Sequence, residues 1–107
     1  MPPSPSESDP VMSKREIFKF SLYVAGDAQN SVLAIANLTA ICQLHLPDRH
    51  HIEIVDVLRH PGRALEDGIY LTPTLLKLSP RPLRQIIGTL SQTQTVLQTL
   101  GLEDSVG

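Results

Sequence analysis

The residues of this chain with chemical potential are four histidines, one cysteine and a few carboxylates beside turns. His45, His50, His51 and His60 suggest a metal, because imidazole is the commonest metal ligand. Neighbours in an extended segment point to opposite sides, however, so His50 and His51 do not converge. No cysteine cluster or regularly spaced acidic set completes a coordination sphere, and the histidines read as loop residues facing water. Cys42 is the single thiol, which excludes an internal disulfide or a Cys-x-x-Cys pair. A reactive thiolate needs a helix N-terminus to stabilise the anion. The approach to the first helix instead reads Asp27-Ala28-Gln29-Asn30-Ser31, and Cys42 falls further along on an apolar stripe, as a small core residue. Asp56, in Val55-Asp56-Val57-Leu58, has the setting of a strand-end phosphoacceptor. That chemistry needs Mg²⁺ held by further acids, and Asp27 stands alone beyond a Gly turn. Asp56 therefore reads as an aspartate that bonds local backbone or caps the next segment. There is no Gly-x-Gly-x-x-Gly, Walker loop or Gly-x-Ser-x-Gly. The expectation is a binding domain with no catalytic residues, no cofactor and no metal.

The size of the chain limits what can position such residues. Its 107 residues fit one domain, and 9 Lys+Arg against 11 Asp+Glu, net charge −2, give no global attraction to nucleic acid or anionic lipid. The most apolar stretch, Val32 to Leu46, is interrupted by Asn37, Gln43 and His45 and falls short of the roughly 20 residues that span a bilayer. No secretory pattern opens the chain, so a soluble cytoplasmic protein is expected. Residues 1–15 are rich in Pro and Ser and have little to bury, which predicts a disordered leader. Residues 16–102 form the folded body, and residues 103–107 a frayed tail.

Within the body, Ile17 to Val24 is a strand-like run ended by Ala25-Gly26-Asp27. Asn30 or Ser31 can cap a helix whose apolar positions Ala34, Ile35, Leu38, Ile41 and Cys42 recur every three or four residues until Pro47. Ile52 to Leu58 reads as a second strand covered on both faces. Pro61 opens a short helix through Ala64, Leu65 and Glu66, closed by Gly68. Thr74 to Leu78 alternates like a strand, with Pro73 at its start, where a missing N–H does no harm. Pro80 and Pro82 interrupt, Leu83 to Ile87 resumes β character, and Gly88 permits a turn. Ser91 and Gln94 look like a capping box before a final helix over Gln92 to Leu100. The order is βαβαββα, an α/β thioredoxin-like domain.

Taken in order, Ser21-Leu22-Tyr23-Val24-Ala25-Gly26, Asn30-Ser31-Val32, Val55-Asp56-Val57-Leu58, Glu66-Asp67, Thr72-Pro73-Thr74-Leu75 and Arg84-x-Ile86-Ile87-Gly88-x-Leu90-Ser91 resemble the KaiB family of circadian clock proteins. The resemblance runs from about Phe18 to Leu100. It implies a non-enzymatic regulator that binds a KaiC-type ATPase ring and modulates its phosphorylation and ATPase cycle. It also implies KaiA or a KaiB-like sensor kinase as further clock partners, and a chain able to adopt two folds. These are a βαββααβ ground state, commonly a homotetramer, and a thioredoxin-like monomer that binds the ring. For the contact with the ring we expect Arg59, Leu65, Glu66, Asp67 and Arg84; for the choice of fold, Pro73, Gly88 and Thr89. The chain departs from the family's usual pattern at Leu33, Gly68, Pro80-Arg81-Pro82, Arg84-Gln85 and Thr89, as a divergent paralogue would. Those departures weaken the expectation of KaiA as partner. The alternative is a stress-response or chaperone-like adaptor on the same scaffold, independent of the clock.

Overall fold

A computed structural model describes residues 16–102, so the expected leader and tail lie outside the described residues. The elements are β1 (Phe18–Val24), α1 (Gln29–His45), β2 (His50–Asp56), α2 (Pro61–Glu66), β3 (Thr74–Ser79), β4 (Arg84–Ile87) and α3 (Thr93–Leu100). This is the βαβαββα order read from the sequence. The four strands form one sheet in the order β2-β1-β3-β4. β1 pairs with β2 in parallel, from Phe18 opposite His50 to Val24 opposite Asp56. It pairs with β3 antiparallel, Tyr23 facing Thr74, and β3 pairs antiparallel with β4, Thr74 facing Ile87.

Side chains alternate across a strand, and that alternation divides the interior in two. Phe20, Leu22 and Val24 of β1 join Leu75 of β3 against Ala34, Leu38, Ile41 and Cys42 of α1 and Val96, Leu97 and Leu100 of α3. The opposite face sends Tyr23, Val55 and Leu76 to a smaller cluster with Ala64 of α2 and Ile69 behind it. Each large side chain so buried contributes about 1.5–3 kcal/mol, so the α1/α3 layer holds most of the apolar stabilisation and α2 adds little.

The ends of α2 follow directly from its residues. Pro61 occupies its first turn, where the missing N–H costs nothing. Gly68 takes φ +71, the Gly68 amide donates to the Leu65 carbonyl at 3.3 Å, and the Ile69 amide to the Ala64 carbonyl at 2.8 Å. These paired bonds satisfy the last carbonyls, while Ile69 and Ala64 meet in the smaller cluster.

Three expectations need correction. β2 is an edge strand and ends at Asp56; Ile54 is 43% exposed and Leu58, beyond the strand, 70%, so its apolar run is not covered on both faces. Neither Asn30 nor Ser31 caps α1, whose N-cap is Ala28; the buried Ser31 hydroxyl accepts the Ala25 amide at 3.0 Å and fastens the β1–α1 turn instead. Ser91 does not cap α3, whose N-cap is Gln92; its hydroxyl meets Thr89 Oγ1 at 2.7 Å and accepts from Asn37 Nδ2 at 3.3 Å. In both cases a tertiary hydrogen bond takes the hydroxyl that local pattern assigns to a cap.

Candidate partner-binding surface

Asp56, at the end of β2, builds the first corner of the surface. Its Oδ1 accepts the Gly26 and Leu58 amides, each at 3.0 Å, and these two backbone bonds hold its carboxyl below the usual carboxylate range. One carboxylate thereby joins the β1–α1 turn to the β2–α2 turn, the local role expected of it. The chain then projects Leu58 and Arg59 outward before α2 begins. Arg59 lies 3.7 Å from Asp56 Oδ2 with 82% of its side chain exposed, an ion pair worth little in water.

α2 has one buried residue, Ala64, and turns Leu65 to solvent at 74% exposure. Glu66 is also exposed. Tyr70 and Leu71 follow in the loop to β3, both exposed, as is Leu58 ahead of α2, so the segments on either side of Leu65 also leave apolar side chains uncovered. Arg59 and Glu66 supply charge around them, the arrangement of an apolar centre with a polar rim.

The structure brings Arg59, Leu65, Glu66 and Asp67 together around α2 but separates Arg84 from them. Arg84 opens β4, at the other edge of the sheet and opposite Lys77, which in turn faces Phe20. Asp67 differs from its neighbours: its Oδ2 accepts the Tyr23 hydroxyl and lies 3.8 Å from Arg63 Nε. Arg63, which pattern did not single out, is the centre of this wiring. It donates from Nη1 and Nη2 to the two carboxylate oxygens of Glu53, both at 3.0 Å, and holds that carboxyl below its ordinary range. Burial, followed by the bond to Asp67, pushes the Tyr23 hydroxyl up.

The three residues expected to govern fold choice lie where the chain enters β3 and leaves β4. Gly88, at φ +120, donates its amide to the Pro73 carbonyl at 2.9 Å. The Thr89 carbonyl accepts Asn37 Nδ2 at 2.8 Å, which ties this turn to α1. Cys42 is fully buried in the larger core, and burial pushes its thiol up to about 11, so thiolate chemistry has no footing at neutral pH. Among the described residues no group of three or more His, Cys, Asp or Glu is placed to hold a metal ion.

The KaiB domain family model matches residues 21–102. The chain belongs to the KaiB family. It is 50% identical over 82 residues to the circadian clock protein KaiB3 of Synechocystis sp., covering 77% of this chain and 78% of that protein. It is 43% identical over 91 residues to the circadian clock oscillator protein KaiB of Synechococcus elongatus, covering 85% of this chain and 89% of that one. Among solved structures, the N-terminal domain of Synechococcus elongatus SasA superposes with TM-score 0.67 at 15% identity, over 100% of this chain and 99% of that domain. Chloroplastic thioredoxin z superposes with TM-score 0.67 at 16% identity, over 86% and 83% of the two chains. At such identities these structures establish the fold, which is thioredoxin-like. KaiB-family membership supports a clock-regulatory role. Among the described residues no helix is long and apolar enough to cross a membrane.

Proposed function

We propose that this KaiB-family chain is a non-enzymatic, cytoplasmic clock regulator that docks on a KaiC-type ATPase ring and modulates its cycle. The observation that carries this reading is the outward face of α2, where Leu65 is 74% exposed on a helix that buries only Ala64. Leaving a leucine so exposed gains nothing for the isolated domain, and with Leu58, Tyr70 and Leu71 also exposed on the segments that flank α2 it has the character of an interface centre. Arg59 and Glu66 form its charged rim, and Asp67, itself exposed, holds the end of α2 through Tyr23 and Arg63. Arg84 opens the strand at the other edge of the sheet, and its part in the contact comes from that side. KaiA or a sensor kinase are further partners under the same proposal.

The exchange between two folds, and between monomer and homotetramer, is part of this reading. The half of the chain after Leu58 supports it, since it is punctuated by Pro61, Pro73, Pro80 and Pro82 and divides its buried residues between the two clusters, so two packings of similar free energy are physically accessible there.

The test is a pull-down of the purified chain with a KaiC-type ATPase, with and without ATP, using wild type and Leu65→Glu. Capture of the wild type and loss in the variant, with unchanged circular dichroism, supports the surface. Equal capture of both removes it. Absence of capture under all conditions favours an adaptor outside the clock.

A further inference from the structure

α2 is held to the sheet by less apolar contact than its position suggests. Six residues are too few to sustain a helix alone, and only Ala64 is buried. Around that single anchor runs a chain of polar contacts across three elements. Ser21 of β1 donates to Glu53 Oε1 of β2 at 3.4 Å. Both oxygens of Glu53 receive Arg63 of α2 at 3.0 Å. Arg63 Nε lies 3.8 Å from Asp67 Oδ2, which accepts the Tyr23 hydroxyl of β1. A bidentate guanidinium–carboxylate pair fixes direction as well as distance. Here it crosses from the edge strand to the helix, and the return path through Asp67 and Tyr23 closes the loop. The Arg63 and Glu53 side chains are 40% and 47% exposed, so ions and protons reach them.

We propose that the Glu53–Arg63–Asp67–Tyr23 chain is an electrostatic latch that sets how firmly α2 is seated, and that salt or acid loosens it. Its consequence, control over presentation of Leu65, rests on the docking surface proposed above; the latch itself does not. The charged and titratable groups that meet there are Glu53 and His51 on β2, Tyr23 on β1, Arg63 on α2 and Asp67 at its end. Because Arg63 lowers the Glu53 carboxyl, the latch is closed at neutral pH and loses this contribution as pH falls through the lowered value. His51, when charged, favours the same ionised carboxylate.

Hydrogen exchange on the full chain, with no ATPase present, tests the latch. The reporters are the Asp67, Gly68 and Ile69 amides, which bond to the Arg63, Leu65 and Ala64 carbonyls and exchange when α2 lifts. At one fixed pH, salt is raised from about 0.01 M to 1 M, which shortens the Debye length from roughly 30 to 3 Å. Wild-type exchange at these amides is expected to accelerate about three- to tenfold, with β1 and α1 amides unaffected. Arg63→Gln and Glu53→Gln should exchange fast at both salt concentrations and lose the salt response. A salt-insensitive wild type overturns the proposal, as do folded variants that match the wild type at low salt. The wild-type arm decides without any substitution, so poor folding of a variant leaves the test intact. Failure of ring capture would leave these exchange rates untouched, which separates the latch from the docking reading.

Discussion

The Gly88 amide donates to the Pro73 carbonyl at 2.9 Å, tying the end of β4 to the residue that opens β3. Gly88 holds φ +120, and a Cβ placed there would meet nothing within 4 Å. The penalty for a side chain is therefore conformational and not steric against the surroundings. Gly88→Ala is expected to destabilise this arrangement by roughly 1–2 kcal/mol, or about 4–8 °C in melting temperature for each kcal/mol. Thermal unfolding followed by circular dichroism checks it; an unchanged midpoint would refute the argument. Under the two-fold proposal, the same substitution shifts the population away from the thioredoxin-like form, visible as new NMR peaks.

The legible part of the chain is the part in which apolar spacing decides. Of the stripe Ala34, Ile35, Leu38, Ile41 and Cys42 on α1, all are buried except Ile35, which is half-buried against the same core. Pro61 and Gly68 mark α2 because their backbone preferences are strong enough to act locally. Ser31 and Ser91 escape the local capping pattern because a hydroxyl near a helix start bonds equally well to a distant amide or side chain. The edge position of β2 was illegible for a related reason: an apolar run predicts burial, but only the strand order determines which strand lacks a neighbour. Arg63 and Glu53 lie ten positions apart on different elements, a spacing that carries no signal of contact until β2 and α2 are placed side by side.

Asp56→Asn should lower stability at neutral pH and remove part of the wild type's acid sensitivity. The Gly26 and Leu58 amides depress the carboxyl, so its contribution is present above the unfolded value and lost as pH falls through the folded one. Melting temperatures of both proteins across the acidic range should converge as pH falls. Parallel curves would show that Asp56 adds nothing through its charge.

Lys77 is 4% exposed, its Nζ 5.6 Å from the Phe18 ring centroid and 3.5 Å from the Leu100 carbonyl. Burial, helped by Arg84, lowers its pKa. Between that lowered value and the unfolded value of about 10.4 the unfolded chain binds the extra proton, so this residue makes stability rise with pH. Lys77→Met should flatten the rise. Urea denaturation of both proteins through the alkaline range reads the difference, and an identical slope would contradict the assignment.

Under the proposed function, the outward face of α2 docks on a KaiC-type ATPase ring. The most direct measurement is native mass spectrometry of the chain mixed with the ring in ATP, for wild type, Leu65→Glu and Arg59→Glu. Losing a well-packed interface centre costs about 2 kcal/mol or more, roughly thirtyfold in affinity. Wild-type chains should therefore decorate the ring, Leu65→Glu should leave it bare, and Arg59→Glu should bind with reduced occupancy. Full decoration by Leu65→Glu would contradict the account.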